Sequence, residues 1–269
     1  MDPSGFVDCC LKWRSDKKAI GLAREMDIRE AVSGLSAEQF STVCLNYSLH
    51  SIPTKPFKLQ DIQTPDQGET RQLALERPIK VLKRVTVKSG FRQLLNCEKL
   101  SEFDLIAAQP NDEEDFHTCA TDADIDVIAL KLEQKSIMRL RLNVVQEAIR
   151  RGIYFEIRLA PALRDVAARR YLIGNATTLL RATKGKHVIL SSGARDAFEA
   201  RSPYDMINFA CVLGLTQQQA YDALVRNPAE ALRHGAARKT FKGVVNVVDK
   251  LQFTESHPEA VTLLPSTLN

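Results

Sequence analysis

Arginine and lysine are concentrated in residues 135–186, and this concentration is the clearest chemical signal in the sequence. The stretch holds twelve Lys or Arg and three acidic residues, whereas the net charge of the whole chain is only +4. Clustered cations neutralise phosphates, and phosphate neutralisation supplies most of the affinity of proteins for nucleic acids. The preceding stretch, 98–126, holds ten acidic residues and one lysine. A solvated surface explains either stretch taken alone, but the local excess of positive charge favours a polyanionic partner.

A catalytic metal site is not predicted. The five histidines include no pair two to five residues apart, and the six cysteines form no C-x-x-C pair. Such cysteine spacing is typical of reduced thiols in the cytosol or nucleus. Asp8 and Cys9 could bind a metal together with distant partners, but a solvated or capping role is favoured for Asp8. We therefore expect no metal or cofactor on this chain.

Other catalytic chemistry is also weakly supported. The turn Ser191–Gly193 could present backbone N–H groups to a phosphate, but it is neither a G-x-S-x-G elbow nor a P-loop. Lys131 has the placement of a Schiff-base lysine, although a surface lysine at a strand exit is favoured. The acidic run Glu113–Asp115 is typical of a helix N-terminus, where negative charge complements the helix dipole. No catalytic residue is predicted.

Short apolar, β-branched runs predict seven strands, and most of them are followed by a helical pattern. Several runs are nearly continuous in apolar residues, as expected of strands buried on both faces. This alternation predicts a single-domain α/β protein with an irregular TIM-like (β/α) barrel, and an open doubly wound sheet is the alternative. The predicted strands are 6–10, 42–46, 79–87, 103–108, 125–130, 153–159 and 187–190.

Helix ends and chain boundaries follow from Gly, Pro and capping residues. Asp165 is a good N-cap for a helix over 166–184, with Gly185 just beyond it. Residues 51–76 carry three prolines and predict a long surface loop. The predicted domain covers 1–243, and 244–269 is predicted to be a weakly ordered tail. Further helices are predicted to end at Gly152, to cover 203–213 and 216–225, and to begin near Asn227-Pro228. Neither a secretory signal nor a membrane span is predicted.

The barrel prediction brings several arginines to one place. The loops that leave the carboxyl ends of barrel strands form a shared mouth, and each following helix begins there. Strand 153–159 leads into Arg164 and Arg169, and strand 187–190 leads into Arg195 and Arg201. We therefore expect these four arginines to lie near the mouth, where helix N-termini add positive potential.

The helix predicted over 166–184 separates its cations by face. Arg169 falls within an apolar stripe, so we expect it to pair with Glu156 or Asp205, with RNA contact as the alternative. Arg170 and Arg181 project together on a more exposed flank and are better candidates for RNA binding. Lys184 and Lys186 flank the turn at the other end of the helix and could form a separate patch.

Several collinear motifs in this region resemble a known family. The segments are YFEIRLAPALRD (154–165), ARRY (168–171), KGKHVILSSGA (184–194), RSPYD (201–205) and RNPA (226–229), followed by His234-Gly235 and Arg238-Lys239. Together they resemble the approximately 30-kDa protein subunit of archaeal and eukaryotic ribonuclease P. The resemblance covers most of residues 1–243.

The resemblance implies an irregular TIM-like barrel related to metal-dependent phosphoesterase barrels but without their metal ligands. It implies a nuclear, largely nucleolar subunit of the ribonucleoprotein that removes 5′ leaders from precursor tRNA, shared with RNase MRP, which processes ribosomal RNA precursors. Catalysis then belongs to the RNA with bound Mg²⁺, while this chain braces the RNA and pairs with a small RRM-like protein subunit.

Two functional alternatives stay open beside the RNA-binding subunit. One is a free-standing barrel phosphoesterase, and the other is a protein-assembly module that uses the acidic stretch 98–126 and apolar residues of 203–225. With the resemblance added, the residues predicted to bind RNA are Arg164, Arg170, Arg181, Lys184, Lys186, Arg195, Arg201, Arg238 and Lys239, with Arg169 either structural or RNA-binding.

Overall fold

The computed structural model describes residues 5–12, 40–51, 80–96, 100, 103–135, 139–195 and 197–241. Apart from Ser51, the loop predicted over 51–76 lies outside these residues, and so does the tail predicted over 244–269. The domain boundary at 243 therefore stays a prediction. Within the described residues, no helix is long and apolar enough to cross a membrane.

Seven parallel strands form one sheet in which each strand pairs with the next along the chain. A doubly wound sheet would reverse its strand order at a switch point, so the doubly wound alternative is wrong and the barrel is confirmed. All seven predicted strands are present, with ends shifted by a few residues. The strands are β1 Phe6–Lys12, β2 Phe40–Leu49, β3 Lys80–Val87, β4 Leu105–Ala108, β5 Val127–Ile128, β6 Tyr154–Arg158 and β7 Val188–Ser191.

Helices follow the strands and begin at the residues that cap them. The side chains of Asp112, Asp165, Ser202 and Thr216 each accept a hydrogen bond from the backbone N–H three residues later. These contacts satisfy N–H groups that have no partner inside the helix. The helices of the described residues are α1 Glu113–Thr121, α2 Leu142–Arg150, α3 Ala160–Arg164, α4 Val166–Thr183, α5 Pro203–Val212, α6 Gln217–Asp222 and α7 Arg226–Phe241.

The barrel closes between β1 and β7, the two ends of the sheet, through the segment that links α6 to α7. The Val7 N–H donates to the Leu224 carbonyl at 2.9 Å, and the Leu190 N–H donates to the Ala223 carbonyl at 3.0 Å. Asp8 adds a direct link, because its carboxylate accepts from the Ser192 N–H at 3.0 Å and from the Ser192 hydroxyl. A two-residue backbone segment and one carboxylate therefore complete the ring.

Side chains alternate between the two faces of each strand. On β6, Phe155 and Ile157 point outward into the large apolar layer under the helices. Tyr154 points inward to a smaller cluster that includes Ala231 and Leu232 of α7. Burying a side chain such as Phe155 contributes about 1.5–3 kcal/mol. Because the outer layer buries more side chains than the inner cluster, it contributes more to the stability of the barrel. Helix α7 packs against the amino ends of the strands and closes the base of the barrel, opposite the mouth.

Candidate nucleic-acid interface

The centre of the barrel is occupied by a buried ion pair between Arg84 of β3 and Glu156 of β6. Both side chains are fully buried; one nitrogen–oxygen contact measures 2.7 Å, and Arg84 also donates to the Cys9 carbonyl at 2.8 Å. Burial alone would lower the pKa of Arg84 and raise that of Glu156, but the opposite charge of each partner reverses both directions. The Ser191 hydroxyl donates to Glu156 at 2.8 Å. The ion pair therefore stays charged and ties β3, β6 and β7 together.

Residues that could have formed a metal site are engaged otherwise. Asp8 accepts from the Cys10 and Ser192 backbone N–H groups at 3.1 and 3.0 Å, so it is buried and bonded rather than solvated. Burial raises the pKa of Asp8, although these hydrogen bonds oppose the increase. The thiol of Cys9 is buried beside that of Cys44, and both are free. Among the residues that the structure describes, no group of three His, Cys, Asp or Glu side chains is arranged to hold a metal ion.

The base of the barrel holds two of the cations predicted to bind RNA. Arg238 of α7 pairs with the buried carboxylate of Asp126 at 3.0 Å, and its side chain is only 7% exposed. Lys239 pairs with Asp104 at 2.7 Å. These contacts fasten α7 to the residues just before β4 and β5, which is a structural role. RNA contact by Arg238 and Lys239 stays a prediction.

His234, which belongs to a sequence motif but has no role predicted from the sequence, completes the base. The Nδ1 atom of His234 lies 2.7 Å from Asp126, whose other oxygen accepts from the Ile106 N–H at 2.7 Å. The hydrogen bond to Asp126 raises the pKa of His234, while burial opposes the increase. The signal in the sequence was the pair His234 and Arg238, four residues apart on one helix face. Their partner is more than 100 residues away, which spacing along the helix does not reveal.

At the mouth, one carboxylate joins two of the predicted arginines. Arg164, the last residue of α3, forms a two-pronged ion pair with Glu199, with one contact at 3.0 Å. The backbone N–H of Arg195 donates to the same carboxylate at 2.9 Å. Burial would raise the pKa of Glu199, but hydrogen bonds from both residues and their charges lower it. Arg164 and Arg195 therefore lie together at the mouth as predicted, with the charge of Arg164 already compensated.

Arg169 reaches a different partner from the one predicted. Its Nε atom donates to the Ala162 carbonyl of α3 at 2.8 Å, whereas Glu156 is taken by Arg84. The pairing of Arg169 with Glu156 is therefore wrong, and the structure shows no ion pair to Asp205 within the described residues. The apolar stripe predicted for α4 consists of Val166, Leu172, Ile173, Ala176 and Leu180. The buried face of α4 differs from this stripe, since Val166 is 59% exposed. The residues that α4 buries are Leu172, Ala176, Leu179, Leu180 and Thr183.

The outer face and carboxyl end of α4 carry cations that are exposed. Arg170 and Arg181 are eleven residues apart, which is close to three full helical turns, so they lie on the same face. Lys184 and Lys186 follow at the end of the helix, where Lys184 adopts the left-handed conformation with φ 55°. None of these four forms an ion pair within the part of the chain that the structure describes. We call them the α4 cation face.

The remaining cations show that only some of the Lys and Arg side chains in residues 135–186 are available to bind a polyanion. Arg201 is exposed just before α5. In contrast, Arg151 donates to the Ala120 and Ala123 carbonyls at 3.0 and 2.7 Å and so satisfies the end of α1. Other cations of the stretch form ion pairs, Arg141 with Glu113 and Arg150 with Glu147. Residues 135–186 therefore combine structural cations with exposed ones, which a count of charges cannot separate.

Sequence reasoning missed part of the mouth. Lys88 directly follows β3, and Arg158 is the last residue of β6. Both occupy the alternate strand positions whose side chains face the inside of the barrel. Lys131, which the sequence placed at a strand exit, donates to the Asn111 side chain at 2.6 Å. The signal that could have found Lys88 and Arg158 was alternation along the strand, continued to the first position beyond the apolar run.

Comparison with known proteins agrees with this architecture. The family model described as RNase P subunit p30 matches residues 5–240. Ribonuclease P protein subunit p30 of Mus musculus is 31% identical over 269 residues, which cover 96% of each chain. Probable ribonuclease P protein subunit 3 of Schizosaccharomyces pombe is 28% identical over 245 residues, covering 90% of this chain and 98% of that protein. A chain in a cryo-electron microscopy structure of archaeal ribonuclease P with mature tRNA shares the fold, with a TM-score of 0.66 at 14% identity. The match covers 91% of this chain and 98% of that one. The sequence motifs, the barrel and the nearly full-length match all indicate the same family. The chain belongs to the RNase P subunit p30 family.

Proposed function

We propose that this chain is a non-catalytic protein subunit of the ribonuclease P ribonucleoprotein and braces the RNA that removes 5′ leaders from precursor tRNA. The observation that carries the proposal is the α4 cation face, Arg170, Arg181, Lys184 and Lys186. Side chains on a rigid helix contact phosphates without reading base identity, which suits recognition of folded RNA by shape.

The chemistry of the barrel centre supports a non-catalytic role for the chain. Barrel enzymes place reacting groups at the carboxyl ends of the strands. Here the inward-facing Arg84 and Glu156 neutralise each other, and Asp8 holds the seam of the barrel. We propose that bond cleavage is carried out by the RNA with its bound Mg²⁺. We do not propose a free-standing phosphoesterase.

The proposal includes protein partners and a cellular location. We propose that the chain pairs with a small RRM-like subunit and other ribonuclease P proteins, that RNase MRP shares it, and that it acts in the nucleus and nucleolus. Exposed apolar side chains near α5 support a protein interface, because water-exposed groups of this size are candidates for burial against a partner. Phe198 is 91% exposed, Val212 74% and Tyr204 55%.

The acidic run before and within α1 offers less support for partner docking. Asp112 caps the helix by accepting from the Asp115 N–H at 2.8 Å, and Glu113 pairs with Arg141 at 3.1 Å. Replacing these residues would disturb α1 itself. A protein-assembly role therefore rests on the apolar surface around α5 and is compatible with RNA binding.

The test is a salt titration of RNA binding by the full chain in the reconstituted particle. The double variant Arg170→Ala/Arg181→Ala should weaken binding, and for each phosphate that the variant no longer binds the log–log salt slope should fall by roughly 0.7–0.9. Arg150→Ala is the matched control, because this arginine is exposed but already paired with Glu147. Unchanged affinity and slope in the double variant would remove the α4 cation face from the interface.

A further inference from the structure

Three cationic side chains converge at the mouth of the barrel from different strands. Lys88 continues the inward-facing series Leu82, Arg84 and Thr86 of β3. Arg158 ends β6 on the same inward face as Glu156. Lys131 follows β5 and is tied to Lys88 through one side chain: Asn111 accepts from the Lys131 ammonium at 2.6 Å and donates to the Lys88 carbonyl at 3.0 Å.

The carboxylates near this cluster compensate it only in part. The partner of Arg158 is Glu133 at 3.8 Å, and its contact to the Leu130 carbonyl is 3.4 Å. Both exceed the 2.7–2.9 Å or so of a strong charge-assisted bond. Glu199 is engaged by Arg164, and Asp8 by Ser192. Two further carboxylates lie at the start of α1. Asp112 caps this helix by accepting from the backbone N–H of Asp115, and Asp115 itself lies in the first turn. Arg158 is nevertheless only 8% exposed.

Like charges therefore face one another at a partly desolvated place. The pKa of Lys88 is lowered first by burial and then by the positive charges of Lys131 and Arg158. A cluster of this kind costs folding free energy unless an anion enters it, because buried charge needs a partner. The α4 cation face, in contrast, lies on the outside of a helix, where water solvates each charge.

We propose that the mouth binds one phosphate-type oxyanion between Lys88, Lys131 and Arg158. Guanidinium offers two parallel donors to a phosphate, and each ammonium adds a compact point charge. Three cations exceed what one carboxylate could neutralise, whereas a phosphate group offers up to two charges and several acceptor oxygens. This site is separate from the α4 cation face, so it goes beyond the proposed bracing of RNA.

The experiment measures the melting temperature of the full chain in sodium phosphate and in sodium chloride at equal ionic strength. Phosphate should raise the melting temperature beyond the chloride effect, since a ligand that binds only the folded state stabilises it. Lys88→Met and Lys131→Met should each weaken phosphate affinity by roughly tenfold, the usual consequence of losing one charged hydrogen bond. Circular dichroism checks that each variant is folded, and the two variants lie on different elements.

The matched control is Lys80→Met, the same substitution at the exposed first residue of the same strand, at the opposite end of the barrel. It should leave the phosphate effect unchanged. The proposal is overturned if chloride stabilises the chain as much as phosphate does, or if Lys80→Met loses as much affinity as Lys88→Met. Because no RNA is present, this outcome is independent of the proposed function.

A competition arm identifies the source of the phosphate group. A short oligoribonucleotide with a 5′-phosphate is compared with the same oligoribonucleotide ending in a 5′-hydroxyl. Displacement of inorganic phosphate by the 5′-phosphorylated form alone supports the site and assigns it to an RNA end. Displacement by neither, with the phosphate effect intact, supports the site and assigns it to a small phosphorylated ligand. Equal displacement by both, unaffected by Lys88→Met, contradicts the proposed site.

Discussion

The two ends of the barrel carry the same kinds of cation in opposite electrostatic settings. At the base, Arg238 and Lys239 face the carboxylates of Asp126 and Asp104. At the mouth, Lys88 lies near two further cations, Lys131 and Arg158. A cation that faces a carboxylate holds the fold together, and a cation that faces other cations is left for a ligand. The partner, not the residue type, separates structural from binding roles.

The largest expected effect tests whether buried pairs are structural. Glu156→Gln leaves Arg84 charged in the centre of the barrel with half of its ion pair removed, and should lower the free energy of unfolding by about 3–5 kcal/mol. Urea denaturation measures this change. Glu147→Gln removes the partly exposed partner of the exposed Arg150 and should cost at most about 1 kcal/mol. Similar losses in the two variants would mean that burial does not decide the strength of these pairs.

The next effect concerns the close fit of α7 against the base. A Cβ atom at Gly235 would lie 2.3 Å from the Asp104 carbonyl oxygen, which is backbone and moves little. Gly235→Ala should therefore lower the free energy of unfolding by about 1–3 kcal/mol, again measured by urea denaturation.

The control for Gly235→Ala has the opposite expected sign. Gly174 lies inside α4, and a methyl group at this position would meet no other atom within 4 Å. Gly174→Ala should raise the free energy of unfolding by roughly 0.4–1 kcal/mol, because alanine restricts the unfolded chain and favours the helix. A gain of stability in both variants would contradict the assignment of Gly235 to a close backbone contact.

The strands can be predicted from the sequence because their signal is local. Apolar runs such as 125–130 and 153–159 identify all seven, and alternation with helices favours the barrel. Helix α3 is not predicted, because Pro161 is equally typical of a loop, although proline is compatible with the first turn of a helix.

The contacts of the site cannot be predicted, because each depends on a distant residue. Arg84 and Glu156 are 72 residues apart, and His234 and Asp126 are 108 apart. Arg238 and Lys239 are among the predicted RNA-binding cations because the family resemblance includes them, and the sequence does not show their carboxylate partners. Only folding shows which cations are already neutralised.

The base should also respond to pH through His234. Because Asp126 raises the pKa of His234 in the folded chain, this pair stabilises the protein fully below the unfolded pKa of about 6.5 and loses its effect as pH rises through the folded pKa. His187, whose pKa is lowered by burial, contributes with the opposite sign. The difference in unfolding free energy between the wild type and His234→Gln isolates the first contribution. It should shrink as pH rises, and a constant difference would contradict a charged pair.

The smallest effect compares one lysine from each end of the barrel by the same substitution. Lys239→Met removes the partner of Asp104 and should lower the free energy of unfolding by about 0.2–1 kcal/mol. Lys88→Met removes a charge repelled by Lys131 and Arg158, so it should raise stability in a buffer free of phosphate and sulfate. Added chloride screens repulsion between partly exposed charges, so the gain from Lys88→Met should fade as ionic strength rises. Chloride should also reduce the loss from Lys239→Met, and the two variants should therefore converge on the wild type from opposite sides. A lower free energy of unfolding in both variants would mean that the cations at the mouth are already neutralised by groups of the protein. The distinction between the two ends of the barrel would then fail.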